Sequence, residues 1–347
     1  MFPMATSPLT SLRRAREYAR HLAVRGFFEG SSRAFSFHPS ARPARHSVER
    51  IKNIAYLSAE ESRLRNADPE EHLLDVWRPL GVSPPPRHRA HHGPPWPIVF
   101  YVHGGAFSIL SKDTHWIMAL AYARRGFLVF NVNYRLAPTH RYPAAIADVC
   151  DAYAWMTKNA ASYGGDLSRV VLAGESAGAN LVTSLSICLH YPRPEPYAKR
   201  AFDTGVLPRA VVPACGLFQV SDILRLSRRK PGMSSFVRDI LPNVSAPYLG
   251  EGPPAASLDL ADPLLLFERG DRPEKPLPPF FLPVGTRDVL LDDTRRLGAA
   301  LRALGTTAEE KYYPGEVHAF HAFVMRRAAR ACWADTYAFL DRHVPQR

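Results

Sequence analysis

A chain of 347 residues that is 46% hydrophobic and 22% charged holds ample material for a buried core and is not a disordered polymer. Its 44 Lys and Arg against 32 Asp and Glu leave a formal net charge of +12, which raises a nucleic-acid or membrane partner as a question and does not answer it. The 32 prolines are scattered between apolar runs, and Cys150, Cys188, Cys215 and Cys332 lie far apart with no C-x-x-C or His-paired spacing, so neither a zinc site nor a disulfide framework is signalled.

The chain start, Met1 to Leu12, lacks the basic start and apolar stretch of a secretory signal, and no apolar run approaches the ~18 residues of a membrane span, so the expectation is a soluble cytoplasmic protein. From Ser11 to Gly30, Leu12, Ala15, Tyr18, Ala19 and Leu22 share one face, predicting an amphipathic helix stopped at Gly30. A packing helix with a solvated basic face is preferred there over a transit peptide or a membrane-surface helix. Residues 1–55 carry ten Lys and Arg and three acids, a balance of +7 that leaves +5 for the rest, so the excess charge belongs mostly to this arm. Arg33 to Arg50 reads as an irregular linker. Residues 1–50 are therefore expected to form a helical arm that contributes to a cap, and residues 51–347 the main domain.

Strands are expected near Asn53–Leu57 and Leu73–Trp77, followed by a loop over Ser83–Pro97. That loop holds His88, His91 and His92, read as a solvated polar turn and not as a metal site because no carboxylate accompanies them. Beyond it, apolar runs at Ile98–Val102, Phe127–Val132, Val170–Ala173, Ala210–Ala214, Phe280–Val284 and Glu310–Tyr313 alternate with helical patterns at about Pro143–Ala161, Ala177–His190, Asp293–Leu304 and Ala322–His343. Strand alternating with helix predicts an α/β fold, a mostly parallel sheet flanked by helices, with ligands at the carboxyl ends of its strands. The proline-rich stretch from about 218 to 279 breaks the rhythm and is expected to be a cap insertion.

Gly174-Glu175-Ser176-Ala177-Gly178 joins a strand directly to a helix. A serine on such a turn is lifted clear of the sheet, and the flanking glycines let strand and helix approach closely. Ser176 is therefore the candidate nucleophile. It requires a base, an orienting acid and donors for a developing oxyanion. His103-Gly104-Gly105-Ala106-Phe107 follows the Ile98–Val102 strand, so the N–H groups of Gly104 and Gly105, with that of Ala177 at the helix start, are the candidate donors. Phe107 is a candidate substrate contact.

His103-Gly104-Gly105-Ala106, Tyr134-Arg135-Leu136-Ala137-Pro138, Tyr142-Pro143-Ala144-Ala145, Tyr163-Gly164-Gly165-Asp166 and Gly174–Gly178, in this order, resemble the hormone-sensitive-lipase family of α/β-hydrolase esterases. The resemblance implies the chain order Ser, Asp, His. Asp288, after the Phe280–Val284 strand, then fits the acid, while Asp292 and Asp293 look like a helix start whose side chains accept from free backbone N–H groups. For the base, Val317-His318-Ala319-Phe320-His321-Ala322-Phe323 contains His-Ala-Phe twice. His318 falls where the family has its histidine, and His321 is the rival. Two positions depart from the family pattern: Ala106 stands for a third glycine, and Glu175 for the usual Asp.

The resemblance implies a serine carboxylesterase acting on short- to medium-chain or aryl esters through an acyl-enzyme, with no cofactor and no metal. An amide hydrolase or deacetylase with the same triad, or a non-catalytic small-molecule binding protein on this fold, are the alternatives. The expected partner is a small-molecule ester and not a nucleic acid; contact of the arm with a membrane surface is the lesser reading, and the oligomeric state leaves no signature in these residues.

Overall fold

A computed structural model describes residues 26, 29–80, 95–229, 238, 242–250 and 257–345. Eight strands form one sheet: β1 (Val48–Ala55), β2 (Leu73–Pro79), β3 (Trp96–Val102), β4 (Leu128–Val132), β5 (Gly165–Glu175), β6 (Pro208–Ala214), β7 (Phe280–Gly285) and β8 (Ala308–Tyr313). Their spatial order is β1-β2-β4-β3-β5-β6-β7-β8. β2 runs antiparallel to both β1 and β4, and all other neighbours are parallel.

The central strands are continuous apolar runs because both faces are covered. Ile98, Phe100 and Val102 of β3 join Leu128, Phe130 and Val132 of β4 in the core beneath the helices Ala144–Asn159, Ala177–His190 and Leu291–Ala303. The alternate residues Val99, Tyr101 and Val129 face the opposite core, closed by Trp116–Ala123 and Arg327–His343. This period-2 division places every buried side chain of a strand on one layer or the other. The chain lays β4 on one side of β3 and β5 on the other, so the strand order reverses at the carboxyl ends of β3 and β5. Val102 pairs with Gly174 there, which sets the loop after β3 beside the turn after β5.

Several expectations need correction. The Ser11–Gly30 helix lies outside the described residues except at 26, 29 and 30, and Gly30 does not stop it: the helix continues through 36. Glycine permits a stop without imposing one. Arg33–Arg50 is not irregular, since 3-10 turns occupy Pro39–Ala41 and Pro43–His46, each with proline at its start, and β1 begins at Val48. Helix Trp116–Ala123 was not expected. The last helix begins at Arg327, after a 3-10 turn over Phe320–Ala322. The His88, His91 and His92 loop lies outside the described residues. Within 218–279 the described elements are the helices Arg225–Arg229, Pro242–Leu249 and Pro263–Glu268. No helix among the described residues is long and apolar enough to cross a membrane.

Between the sheet and its helices lies a buried ion cluster. Asp148 is fully buried and accepts from the Arg135 backbone N–H at 2.9 Å and from the Arg135 guanidinium at 2.7 Å, with His72 Nε2 at 3.2 Å. Burial alone would raise this carboxyl, but the His72 and Arg135 hydrogen bonds overcome it and hold it below its ordinary range. Breaking such a pair strands a buried charge, so Asp148→Asn is expected to lower unfolding free energy by about 3–5 kcal/mol. Urea denaturation reads this directly; an unchanged midpoint would show that the cluster contributes nothing to the fold.

Candidate active site

Ser176 sits at φ 54°, ψ −117° between the end of β5 and the first turn of Ala177–His190. This sparsely populated conformation turns the side chain out of the sheet plane. Gly178 makes the turn workable: a Cβ there would stand 2.2 Å from the Val102 carbonyl oxygen and 2.5 Å from that of His103.

His318 lies on the turn after β8, and its Nε2 is 3.0 Å from Ser176 Oγ. Its Nδ1 is 2.9 Å from Asp288 Oδ2 and 3.1 Å from Oδ1. Because a carboxylate only accepts, in the neutral ring Nδ1 carries the proton and Nε2 presents its lone pair to the serine hydroxyl. Asp288 follows β7, is buried, and also accepts from the Leu290 N–H at 2.9 Å. Burial disfavours charge on the His318 ring, but the Asp288 carboxylate, with Cys215 adding to it, outweighs that and holds His318 well above the ordinary histidine value.

The N–H groups of the expected donors are unpaired among the described residues. No described residue accepts from the N–H of Gly104 or Gly105, and Ala177, as the first helical residue, has an N–H that its helix leaves unpaired. His103 itself is buried, stacked on Tyr134 at 4.3 Å, with Nδ1 2.7 Å from the Gly104 carbonyl. Burial and the neighbouring His115 push it down to about 3, so it is neutral. Phe107 presents no surface; its ring is stacked at 3.8 Å on Tyr248 from the 218–279 segment.

The rival residues go elsewhere. Asp293 is buried and accepts from the Phe218 N–H at 3.0 Å and from Arg225, not from its own helix start as expected, because that carboxylate points across to the loop after β6. Asp292 pairs with Arg229 at 3.6 Å on the surface. His321 lies with its Nε2 2.9 Å from Glu175 Oε2, turned away from Ser176. Ala319, at φ 53°, separates the two histidines and sends them to different partners. Two residues escaped the sequence reading. His115, whose Nε2 is 2.8 Å from Glu175 Oε1, has no local motif to mark it. Cys215, buried after β6, has its sulfur within 4.8 Å of the Asp288 and His318 ligand atoms. Among the described residues this trio is the one His/Cys/Asp/Glu group compact enough to share an ion, and it coincides with the hydrogen-bonded relay itself.

Comparison with known proteins agrees with this fold. A family model described as the alpha/beta hydrolase fold matches residues 99–322. The chain is 32% identical over 242 residues to the carboxylesterase NlhH of Mycobacterium tuberculosis, covering 68% of this chain and 70% of that protein. It is 30% identical over 226 residues to an acetyl esterase of Salmonella schwarzengrund, covering 64% of this chain and 65% of that one. Among solved structures, an esterase of the bacterial hormone-sensitive lipase family superposes with a TM-score of 0.66 at 22% identity, over 98% of this chain and 100% of the other, a likeness of fold.

The His318–Asp288 pair has a consequence that can be read without any substrate. In ring-nitrogen NMR, His318 is expected to keep its proton to a pH above the ordinary value of 6.5, because Asp288 stabilises the charged ring. Asp288→Asn removes that stabilisation and is expected to shift the midpoint downward. A midpoint below 6.5 in the parent protein, or no shift in the variant, would contradict the pairing.

Proposed function

The chain belongs to the α/β-hydrolase fold family, and we propose that it is a serine carboxylesterase that acts through an acyl-enzyme on Ser176. It is a carboxylic ester hydrolase by its relationship to the carboxylesterase and acetyl esterase above. The observation that carries the serine mechanism is the unbroken relay from Ser176 Oγ to His318 Nε2 at 3.0 Å and from His318 Nδ1 to Asp288 at 2.9 Å.

In this mechanism His318 Nε2 takes the hydroxyl proton as Ser176 Oγ attacks the ester carbonyl carbon. Asp288 holds the imidazole tautomer and stabilises the imidazolium that forms. The carbonyl oxygen becomes an oxyanion and is held by the N–H groups of Gly104, Gly105 and Ala177, where each donor contributes about 10²–10³ in rate. Collapse breaks the bond to the alkoxy oxygen, which leaves as the alcohol with the proton from His318. Water then repeats the sequence: His318 takes its proton, the hydroxyl adds to the acyl carbon, and collapse returns the proton to Ser176 Oγ and frees the carboxylic acid. The Phe107–Tyr248 stack ties the 218–279 insertion to the oxyanion loop. On this reading the insertion, with the N-terminal arm, forms a cap over the acyl and alcohol pockets, and small neutral esters of short- to medium-chain or aryl acids are the substrates.

A p-nitrophenyl ester series of increasing acyl length is expected to be hydrolysed with highest kcat/KM at the short to medium chains. Ser176→Ala is expected to lose about 10⁴-fold or more in kcat. Treatment of the parent with a fluorophosphonate should add one phosphonyl group to the peptide carrying Ser176, observed by mass spectrometry. Turnover by Ser176→Ala at the parental rate, or labelling elsewhere, would rule out the serine mechanism.

A further inference from the structure

One carboxylate beside the nucleophile has a role that the relay does not use. Glu175, the residue before Ser176, is buried, with side-chain exposure of 9%. Its Oε1 accepts from His115 Nε2 at 2.8 Å, and its Oε2 lies 2.9 Å from His321 Nε2 at ion-pair distance. Burial would raise this carboxyl, yet the hydrogen bonds from the two imidazoles bring it well below the usual carboxylate range. His115 has polar partners at both ring nitrogens. Its Nδ1 is 3.2 Å from the Ser111 carbonyl and 2.9 Å from Thr114 Oγ1, whose own proton goes to that carbonyl at 2.7 Å.

The three partners come from three different parts of the site. His115 ends the segment that begins with the oxyanion loop, Glu175 adjoins the nucleophile, and His321 follows the base by three residues. The Glu175 side chain also lies directly against Gly104: a Cβ on Gly104 would meet Glu175 Cγ at 3.2 Å and Oε1 at 3.3 Å. We infer that Glu175, clamped between His115 and His321, is a positioning residue that locks the oxyanion loop, the nucleophile turn and the base turn into one rigid frame. The inference rests on the serine-esterase reading above.

The charges within the clamp have a further consequence. An uncompensated carboxylate this close to the oxyanion donors would repel the negative charge that develops in the transition state, and the poorly screened interior strengthens that repulsion. The imidazoles therefore serve two purposes: they fix the geometry, and their polar ring atoms against the two carboxylate oxygens offset the negative charge. Loss of a partner leaves the carboxylate bare, whereas loss of the carboxylate itself loosens the frame without adding repulsion.

The test measures kcat and KM for p-nitrophenyl acetate, and the fluorophosphonate labelling rate, in the full chain with Glu175→Gln, Glu175→Asp, His115→Gln and the double variant His115→Gln/Glu175→Gln. Small misplacements of reacting groups cost up to about a hundredfold, so Glu175→Gln is expected to lower kcat and labelling by about ten- to a hundredfold while KM stays within about twofold. Glu175→Asp, which keeps the charge, should retain more activity than Glu175→Gln. His115→Gln should be slower than Glu175→Gln, and adding Glu175→Gln to it should raise kcat. Parental kcat in Glu175→Gln, a loss expressed in KM, or a double variant slower than His115→Gln would overturn the inference. If Glu175→Gln does not fold, as judged by circular dichroism, His321→Gln is read in the same way: lower kcat at constant KM supports the clamp, and parental kcat overturns it. Ser176→Ala, run in parallel, separates the two readings, since activity in that variant removes the esterase mechanism, whereas an inactive Ser176→Ala beside a fully active Glu175→Gln removes only the clamp.

Discussion

The close approach of the nucleophile helix to the end of β3 is the constraint on which the site depends. The helix that starts at Ala177 meets the end of β3 so tightly that no side chain fits at Gly178, where a Cβ would lie 2.2 Å from the Val102 oxygen. Any larger residue would lever the helix away from β3 and part Ser176 from Gly104 and Gly105. The strained φ of 54° at Ser176, a conformation costing on the order of 1–3 kcal/mol, persists because its neighbours over-determine it. Ser176 N–H donates to the Ala214 carbonyl at 3.0 Å, and the Ser176 carbonyl accepts from Asn180 at 3.2 Å. Parallel pairing of β3, β5 and β6 is what brings those groups together.

Regular structure accounts for the strands but not for the loop that must hold the oxyanion donors. Residues 103–115 have no ladder of their own, and buried charges fix them at the far end. Lys112, 1% exposed, reaches Asp75 Oδ1 at 2.9 Å, and the same carboxylate accepts from Arg50 Nε at 2.7 Å and from the Asn53 N–H at 2.9 Å. Three residues on, His115 meets Glu175. Buried ion pairs add little net stability against apolar replacements, but once desolvated they tolerate few alternative geometries. A loop carrying two such anchors is placed by electrostatics where hydrogen-bonded secondary structure is absent. The antiparallel strands β1 and β2 supply that anchor through Arg50, Asn53 and Asp75, which links the sheet edge to the site.

The same contrast explains what could be read in the residues and what could not. Strands β3 to β7 were legible because doubly covered strands read as short apolar runs between glycines and prolines, and the turn at Ser176 because its glycines are sterically required. Helix Trp116–Ala123 escaped because seven of its eight residues are buried, so it has no polar face and no period to detect. The 3-10 turns after residue 38 escaped because proline was read as a breaker where it serves as an initiator. The repeated His-Ala-Phe string was ambiguous by nature: only the left-handed backbone at Ala319, invisible in composition, decides that His318 turns to Ser176 and His321 to Glu175. Likewise Glu175 stood out as a departure from pattern, while its partner 60 residues earlier could be found only through the fold.

Ala106 shows how a departure from pattern is absorbed. A third glycine there would adopt a positive φ at no steric cost, whereas an L-residue in that region costs about 1–2 kcal/mol. Ala106 nonetheless holds φ 52°, and Phe107 follows at φ 61°. Two consecutive strained residues require external restraint, and the loop has it on both sides. The Phe107 carbonyl accepts from the Ala137 N–H at 2.9 Å, and the Phe107 ring is trapped beneath Tyr248. Tyr248 in turn is fully buried, and its carbonyl accepts from the Tyr142 N–H at 2.8 Å. The backbone path that glycine would take by freedom is thus taken here by compulsion, through side-chain packing from the 218–279 insertion. Substituting alanine for glycine transfers control of the donor loop from the local backbone to that packing. The segment that overlies Phe107 therefore bears on the geometry of the oxyanion donors as well as on whatever it covers.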